Sequence, residues 1–210
     1  MPQEGKSEKA GWDVKSNNAP KKRRTESRQL FPSRRASISI LGYHDSMDLS
    51  AKDVVSLLKA SGFFIATAES CTGGLIANLL TDIPGSSAVF WGGWITYDNS
   101  AKVSELGVPS ELIQKHGAVS AEVAKAMAEG GLRAAQTSSI EKIICVSSTG
   151  IAGPTGGSAQ KPVGLCYIAA AHPDKETQIE ELQARPGLNR LANKEYFAQK
   201  IFELVRRLLA

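Results

Sequence analysis

The sequence predicts an α/β domain behind a basic amino-terminal segment. From residue 45 onward, short apolar runs alternate with amphipathic stretches, the pattern of chains that lay helices against a sheet. The 210 residues are ample for one domain with a real core and thin for two. Charge divides the chain as well: residues 1–40 carry ten Lys and Arg against four Asp and Glu, and the remainder carries 15 against 17. Residues 1–44 are therefore read as a tail and residues 45–210 as the folded domain.

The tail is rich in Lys, Arg, Ser, Asn and Pro, and Trp12, Leu30 and Phe31 are too isolated to form a core, so it reads as disordered. Lys21-Lys22-Arg23-Arg24 fits a nuclear-import signal, and Arg34-Arg35-Ala36 sets Ser37 for a basophilic kinase. An import receptor and a kinase are thus the partners expected of the tail, against the plainer reading of a solvated basic arm. Glu4, Glu8 and Asp13 argue against a mitochondrial transit peptide. No apolar run approaches the roughly 20 residues of a membrane-spanning helix. A cytoplasmic protein is expected, with a nuclear pool if Lys21–Arg24 acts. The near-neutral folded part gives no reason for a nucleic-acid surface. Cys71, Cys145 and Cys166 are odd in number and lack paired spacing, which suggests neither a disulfide framework nor a zinc site. No metal or cofactor is expected.

Along the domain, Ser50 with Asp53 resembles a capping box, and Val54, Leu57 and Leu58 follow at helical spacing until Gly62. Phe63 to Ala66 reads as a buried strand, Leu75 to Leu80 as a helix that ends before Pro84-Gly85. Val89 to Tyr97 is a strand that Gly92 and Gly93 mark for a bulge or a close backbone approach. Helices are predicted over Ser110–His116 and Ser120–Ala135, and a strand over Ile143–Val146. The run from Ser147 to Gly157 is too rich in Gly, Ser and Thr for regular structure. Val163–Ala171 and Ile179–Ala184 complete the strands. In the last helix, from about Asn189 to Leu209, Ala198, Ile201, Phe202, Val205, Leu208 and Leu209 form an apolar stripe suited to the core or to a subunit contact.

Chemistry concentrates in the stretch TAESCTGG, residues 67–74. It joins a predicted strand to a predicted helix, so Ser70 stands on a bend where Gly73 and Gly74 let the backbone pass close to a ligand. Amides at the start of the helix suit an oxyanion or a phosphate. The competing reading is structural: Ser70 and Thr72 cap the helix. A serine nucleophile needs a base, and none of His44, His116 and His172 has the setting of one. Lys102, just past Tyr97-Asp98-Asn99, is the alternative, since a partly buried amine loses its proton more easily. Cys71 is a rival nucleophile with no histidine to activate it. The loop from Thr149 to Gly164, with Gly150, Gly153, Gly156, Gly157 and Gly164, can wrap a phosphate or ribose and is not a P-loop.

TAESCTGGLIANLLTDIPGSS, ITYDNSAK, LGVPSELIQKHGAVSAEVAKAMAEG and TGIAGPTGG…KPVG, in this order and spacing, closely resemble the C-terminal domain of the competence/damage-inducible CinA proteins, the nicotinamide-nucleotide amidases. The resemblance spans about residues 48–209. It implies a three-layer α/β/α sandwich with a mixed sheet, a homo-oligomer, and hydrolysis of nicotinamide mononucleotide to nicotinate mononucleotide and ammonia. It further implies Ser70 as nucleophile, Lys102 as general base and Thr149 as a helper hydroxyl. Glu69, Cys71, Thr72, Gly73, Gly74, Tyr97, Asn99, Gly150, Gly153, Gly156 and Gly157 would surround the nucleotide, with the amides of Cys71 to Gly74 holding the oxyanion. Thr155, Ser158 and Lys161 are further candidates for the phosphate. One departure stands out. Where the family is expected to carry a charged pair, this chain has Trp91-Gly92, which removes an arginine that could bind an anionic substrate. A binding or regulatory module that keeps the pocket without turnover is the rival reading.

Overall fold

The computed structural model describes residues 41–136 and 140–210, with side chains from Ala51 onward. The expectations at Lys21–Arg24 and Ser37 lie outside the described residues. Five strands form one mixed sheet in the order β2-β1-β3-β4-β5. They are β1 (Phe64–Glu69), β2 (Phe90–Ile95), β3 (Ile143–Gly150), β4 (Leu165–Ala171) and β5 (Gln178–Gln183). β1 runs parallel to both β2 and β3, while β4 and β5 are antiparallel.

Side chains alternate across the sheet and build two cores. Ile65, Ile144, Val146, Cys166 and Ile168 face one side, where α1 (Leu41–Ser61), α2 (Leu75–Thr81) and α6 (Arg190–Leu209) cover them. Ala66, Ala68, Ile143, Cys145 and Ala169 face the other, under α3 (Asn99–Leu106), α4 (Ser110–His116) and α5 (Ala121–Ala135). The fold is thus α/β, a three-layer α/β/α sandwich, as the sequence led us to expect. The apolar stripe of α6 belongs to the first core, where Ala198, Ile201, Phe202, Val205 and Leu208 are all fully buried.

Three local readings change. Ser50 lies inside α1, which begins at Leu41, so Ser50 and Asp53 do not form a capping box. The segment Asn99–Leu106 is a helix absent from the sequence reading; Asp98 caps it by accepting from the Ser100 amide, and Gly107 ends it in the left-handed conformation. β3 continues through Ser147 to Gly150 instead of breaking at Val146. A central strand buried on both faces tolerates these hydroxyls because each has an acceptor or donor: Ser147 donates to Ala124 O at 2.7 Å, Ser148 pairs with Thr72 at 2.7 Å and Thr149 donates to Ala118 O at 2.7 Å.

In β2 both the expected bulge and the expected close approach occur. Its pairing with β1 slips between Ile65 and Ala66, so that Trp91 is the extra residue of a bulge. Gly93 makes the close approach: a Cβ there would lie 2.1 Å from Thr67 Oγ1 and 2.8 Å from Thr67 O. Trp91 packs in the second core beside Trp94, with ring centroids 5.4 Å apart.

Candidate active site

The order of the strands selects a place for the site before any side chain is considered. From β1 the chain passes to one side to make β2, then crosses to the other to make β3. At such a reversal the loops leaving the carboxyl ends of two parallel strands diverge and leave a crevice. Ser70 follows the last residue of β1, and Thr149 and Gly150 end β3.

The bend after β1 is held from several directions. Ser70 N donates to Ser148 O at 3.0 Å, and Gly73 N donates back to Ser70 O at 3.1 Å. The hydroxyls of Thr72 and Ser148 meet at 2.7 Å. Gly73 and Gly74 carry φ of 63° and 91°, values that side chains with a Cβ rarely adopt. Ser70 is neither a helix cap nor deeply sealed: the N-cap of α2 is Gly74, with no capping side chain of its own, and Ser70 keeps 8 % of its surface exposed.

The cap comes from elsewhere. Glu69, fully buried at the end of β1, accepts from the amides of Gly74 at 2.9 Å, Ile76 at 3.1 Å and Ala77 at 2.9 Å. These bonds bear on two of the expected roles. The Glu69 carboxylate is turned onto the first turn of α2, where three backbone donors offset the cost of burying its charge. The amides of Gly73 and Gly74 are committed, so donors for an oxyanion reduce to Cys71 N and Thr72 N, which make no hydrogen bond among those described.

Lys102 stands on α3 with 1 % of its surface exposed. Its Nζ donates to Thr96 O at 2.9 Å and Tyr97 O at 3.3 Å. Thr96 N in turn donates to Glu69 O at 2.8 Å, so the amine is anchored to the strand end that adjoins Ser70. Burial lowers its pKa from the ordinary lysine range, opposed by the charge of Asp98. A neutral amine has two N–H donors, which the two carbonyls accept, and one lone pair left for a proton from a neighbour. Cys71 instead packs in the first core with its Sγ 3.7 Å from that of Cys166.

The other predicted residues fall around this centre. Tyr97 is 60 % exposed and Asn99 exposed at the start of α3. Gly150 ends β3, Gly153 is buried, and Gly156, Gly157, Thr155 and Ser158 are exposed on the loop. Thr149 turns its hydroxyl to Ala118 O, on the α5 side of the sheet. Lys161 is occupied as well: its Nζ donates to His116 O and Val119 O, both at 2.7 Å, which ties the loop to the turn before α5.

Two cations missed in the sequence reading stand at the rim. Arg190 donates to Gly153 O and to the Tyr97 hydroxyl, each at 2.7 Å. Lys194, one turn later on α6, has its Nζ 3.6 Å from where a Cβ on Gly73 would be. The signal for Arg190 was available, since a basic residue in the first turn of a helix opposes its dipole and needs another reason to be there. Ser148 was missed because a strand residue whose hydroxyl merely pairs with Thr72 has no sequence signature.

The family model described as CinA C-terminal domain matches residues 47–209. The chain belongs to the CinA C-terminal domain family. A CinA-like protein of Chloroherpeton thalassium is 49% identical over 154 residues, 73% of this chain and 36% of that protein. A CinA-like protein of Desulfotalea psychrophila is 43% identical over 192 residues, covering 85% of this chain and 45% of its own length. The chain thus spans less than half the length of these curated relatives. Among solved structures, the competence/damage inducible protein CihA of Agrobacterium tumefaciens superposes with a TM-score of 0.72 at 35% identity, over 86% of this chain and 99% of that one. A CinA superfamily protein of Klebsiella pneumoniae gives 0.71 at 26% identity, over 78% and 97%. In this CinA domain, Trp91-Gly92 lies at the β2 bulge, and the rim cations come from α6.

Proposed function

We propose that this CinA domain is a nicotinamide-nucleotide amidase, hydrolysing the carboxamide of nicotinamide mononucleotide to nicotinate mononucleotide and ammonia. The observation that carries the reading is Lys102, a lysine buried to 1 % exposure whose amine rests on Thr96 O and Tyr97 O, with Thr96 N bonded to the carbonyl of Glu69, the residue before Ser70. A structural lysine would put its charge in water, whereas one held dry on two carbonyls beside a serine is suited to take a proton.

In the first step Ser70 Oγ attacks the carboxamide carbon while its proton passes to the neutral Lys102 amine. The oxyanion is met by Cys71 N and Thr72 N. Collapse breaks the C–N bond, and the Lys102 ammonium returns its proton to the departing nitrogen, which leaves as ammonia. Water then attacks the acyl-serine, gives a proton to Lys102, and frees the nicotinate as Ser70 Oγ regains that proton. Arg190 and Lys194 bind the phosphate, and Arg190 also orients Tyr97 beside the nucleotide. These cations substitute in function for the arginine missing at Trp91-Gly92.

The test is ammonia release from nicotinamide mononucleotide by the full chain. Turnover lost in both Ser70→Ala and Lys102→Ala supports the amidase. Ligand binding without release in folded protein would replace it with a binding module of the same family.

A further inference from the structure

We infer that Glu69 is a positioning residue that fixes both halves of the Ser70–Lys102 pair; the inference rests on the reading of those two residues given above. Glu69 is fully buried, and no described ion pair includes it. Its charge is compensated by the amides of Gly74, Ile76 and Ala77 and by the positive end of α2. Placing an acid there instead of an apolar residue carries a desolvation cost, and a simple cap could come from Gly74's own position at no such cost.

The geometry shows what the carboxylate adds. It closes a ring from the end of β1 to the first turn of α2, and the residues inside that ring are Ser70, Cys71, Thr72 and Gly73. The backbone of the same residue reaches the other half: Glu69 O accepts from Thr96 N at 2.8 Å, and Thr96 O accepts from Lys102 Nζ at 2.9 Å. The nucleophile and the base are therefore referenced to one residue, through its side chain on one side and its carbonyl on the other. Helix α2 supplies no anion site of its own, because this carboxylate already fills it.

Glu69→Gln tests this with shape retained. A glutamine offers one oxygen where three amides need acceptors, and turns an NH2 toward at least one N–H, so the ring loosens and Ser70 shifts. Two readouts are taken on the full chain: steady-state hydrolysis of nicotinamide mononucleotide, and the rate at which a fluorophosphonate probe labels Ser70, followed by mass spectrometry. A displacement of about 1 Å costs on the order of 100-fold in rate, so kcat and labelling should both fall by about that factor while KM stays within about threefold. Glu69→Asp, which keeps the charge but draws it back, should lie between wild type and Glu69→Gln. Unchanged kcat and labelling in a folded Glu69→Gln protein of lower melting temperature would make the residue a structural cap and overturn the proposal. Failure of both variants to fold would do the same. If wild type is labelled at Ser70 but releases no ammonia, the substrate reading fails and the labelling rates still decide the role of Glu69. If Ser70 is not labelled in wild type, the serine reading and this proposal fall together.

Discussion

The Lys102 amine lies 2.9 Å from the carbonyl oxygen of Thr96, in a setting that leaves 1 % of the side chain in contact with water. The charged form loses hydration that two carbonyls only partly replace, which is why burial lowers the pKa from its ordinary value of 10.5. On the rising limb of the pH profile, kcat/KM should therefore climb with an apparent pKa below that value. The same shift acts on stability. Between the folded and unfolded pKa the unfolded chain binds more protons, so the Lys102 contribution to stability rises as pH increases through that window. Lys102→Met should be stabilised relative to wild type at neutral pH, and the advantage should shrink toward pH 10.5. Thermal midpoints of the two proteins over this range check the sign.

Arg190 bridges Gly153 O and the Tyr97 hydroxyl. If it binds the phosphate, Arg190→Ala should raise KM for nicotinamide mononucleotide by about 10- to 100-fold, the worth of one charge-assisted hydrogen bond. Nicotinamide riboside, which lacks the phosphate, should show little change. Equal losses on both compounds would assign Arg190 to holding Tyr97 alone.

Gly93 has no room for a side chain, since a Cβ would meet Thr67 Oγ1 at 2.1 Å and Thr67 O at 2.8 Å. Both contacts belong to the adjacent central strand, which cannot yield without disturbing the sheet. Gly93→Ala should cost about 1–3 kcal/mol, read as a lower urea midpoint with an unchanged slope. A midpoint equal to that of wild type would show that β2 can move away from β1.

The helices and strands with strong periodicity were legible in the sequence, and so was the place of the bend. Ser70 was readable because an apolar strand runs into Gly73-Gly74. β3 was read too short because Ser147, Ser148 and Thr149 look like loop residues, although partners at Ala124, Thr72 and Ala118 satisfy each hydroxyl within the sheet. α3 was missed because NSAKVSEL is largely polar; its buried residues are Lys102 and Leu106, and its caps at Asp98 and Gly107 were the available signals. The partners of Glu69 could not be read at all. A carboxylate that closes a bend onto amides up to eight residues ahead leaves no periodic pattern.

Ser70 and Lys102 are proposed to form one catalytic unit. Its most direct measurement is ammonia release from nicotinamide mononucleotide by wild type, Ser70→Ala, Lys102→Ala and the double variant. Residues that act as a unit are non-additive, so each single substitution should abolish turnover about as fully as the double. Turnover that survives Ser70→Ala, or losses that multiply in the double variant, would contradict the account.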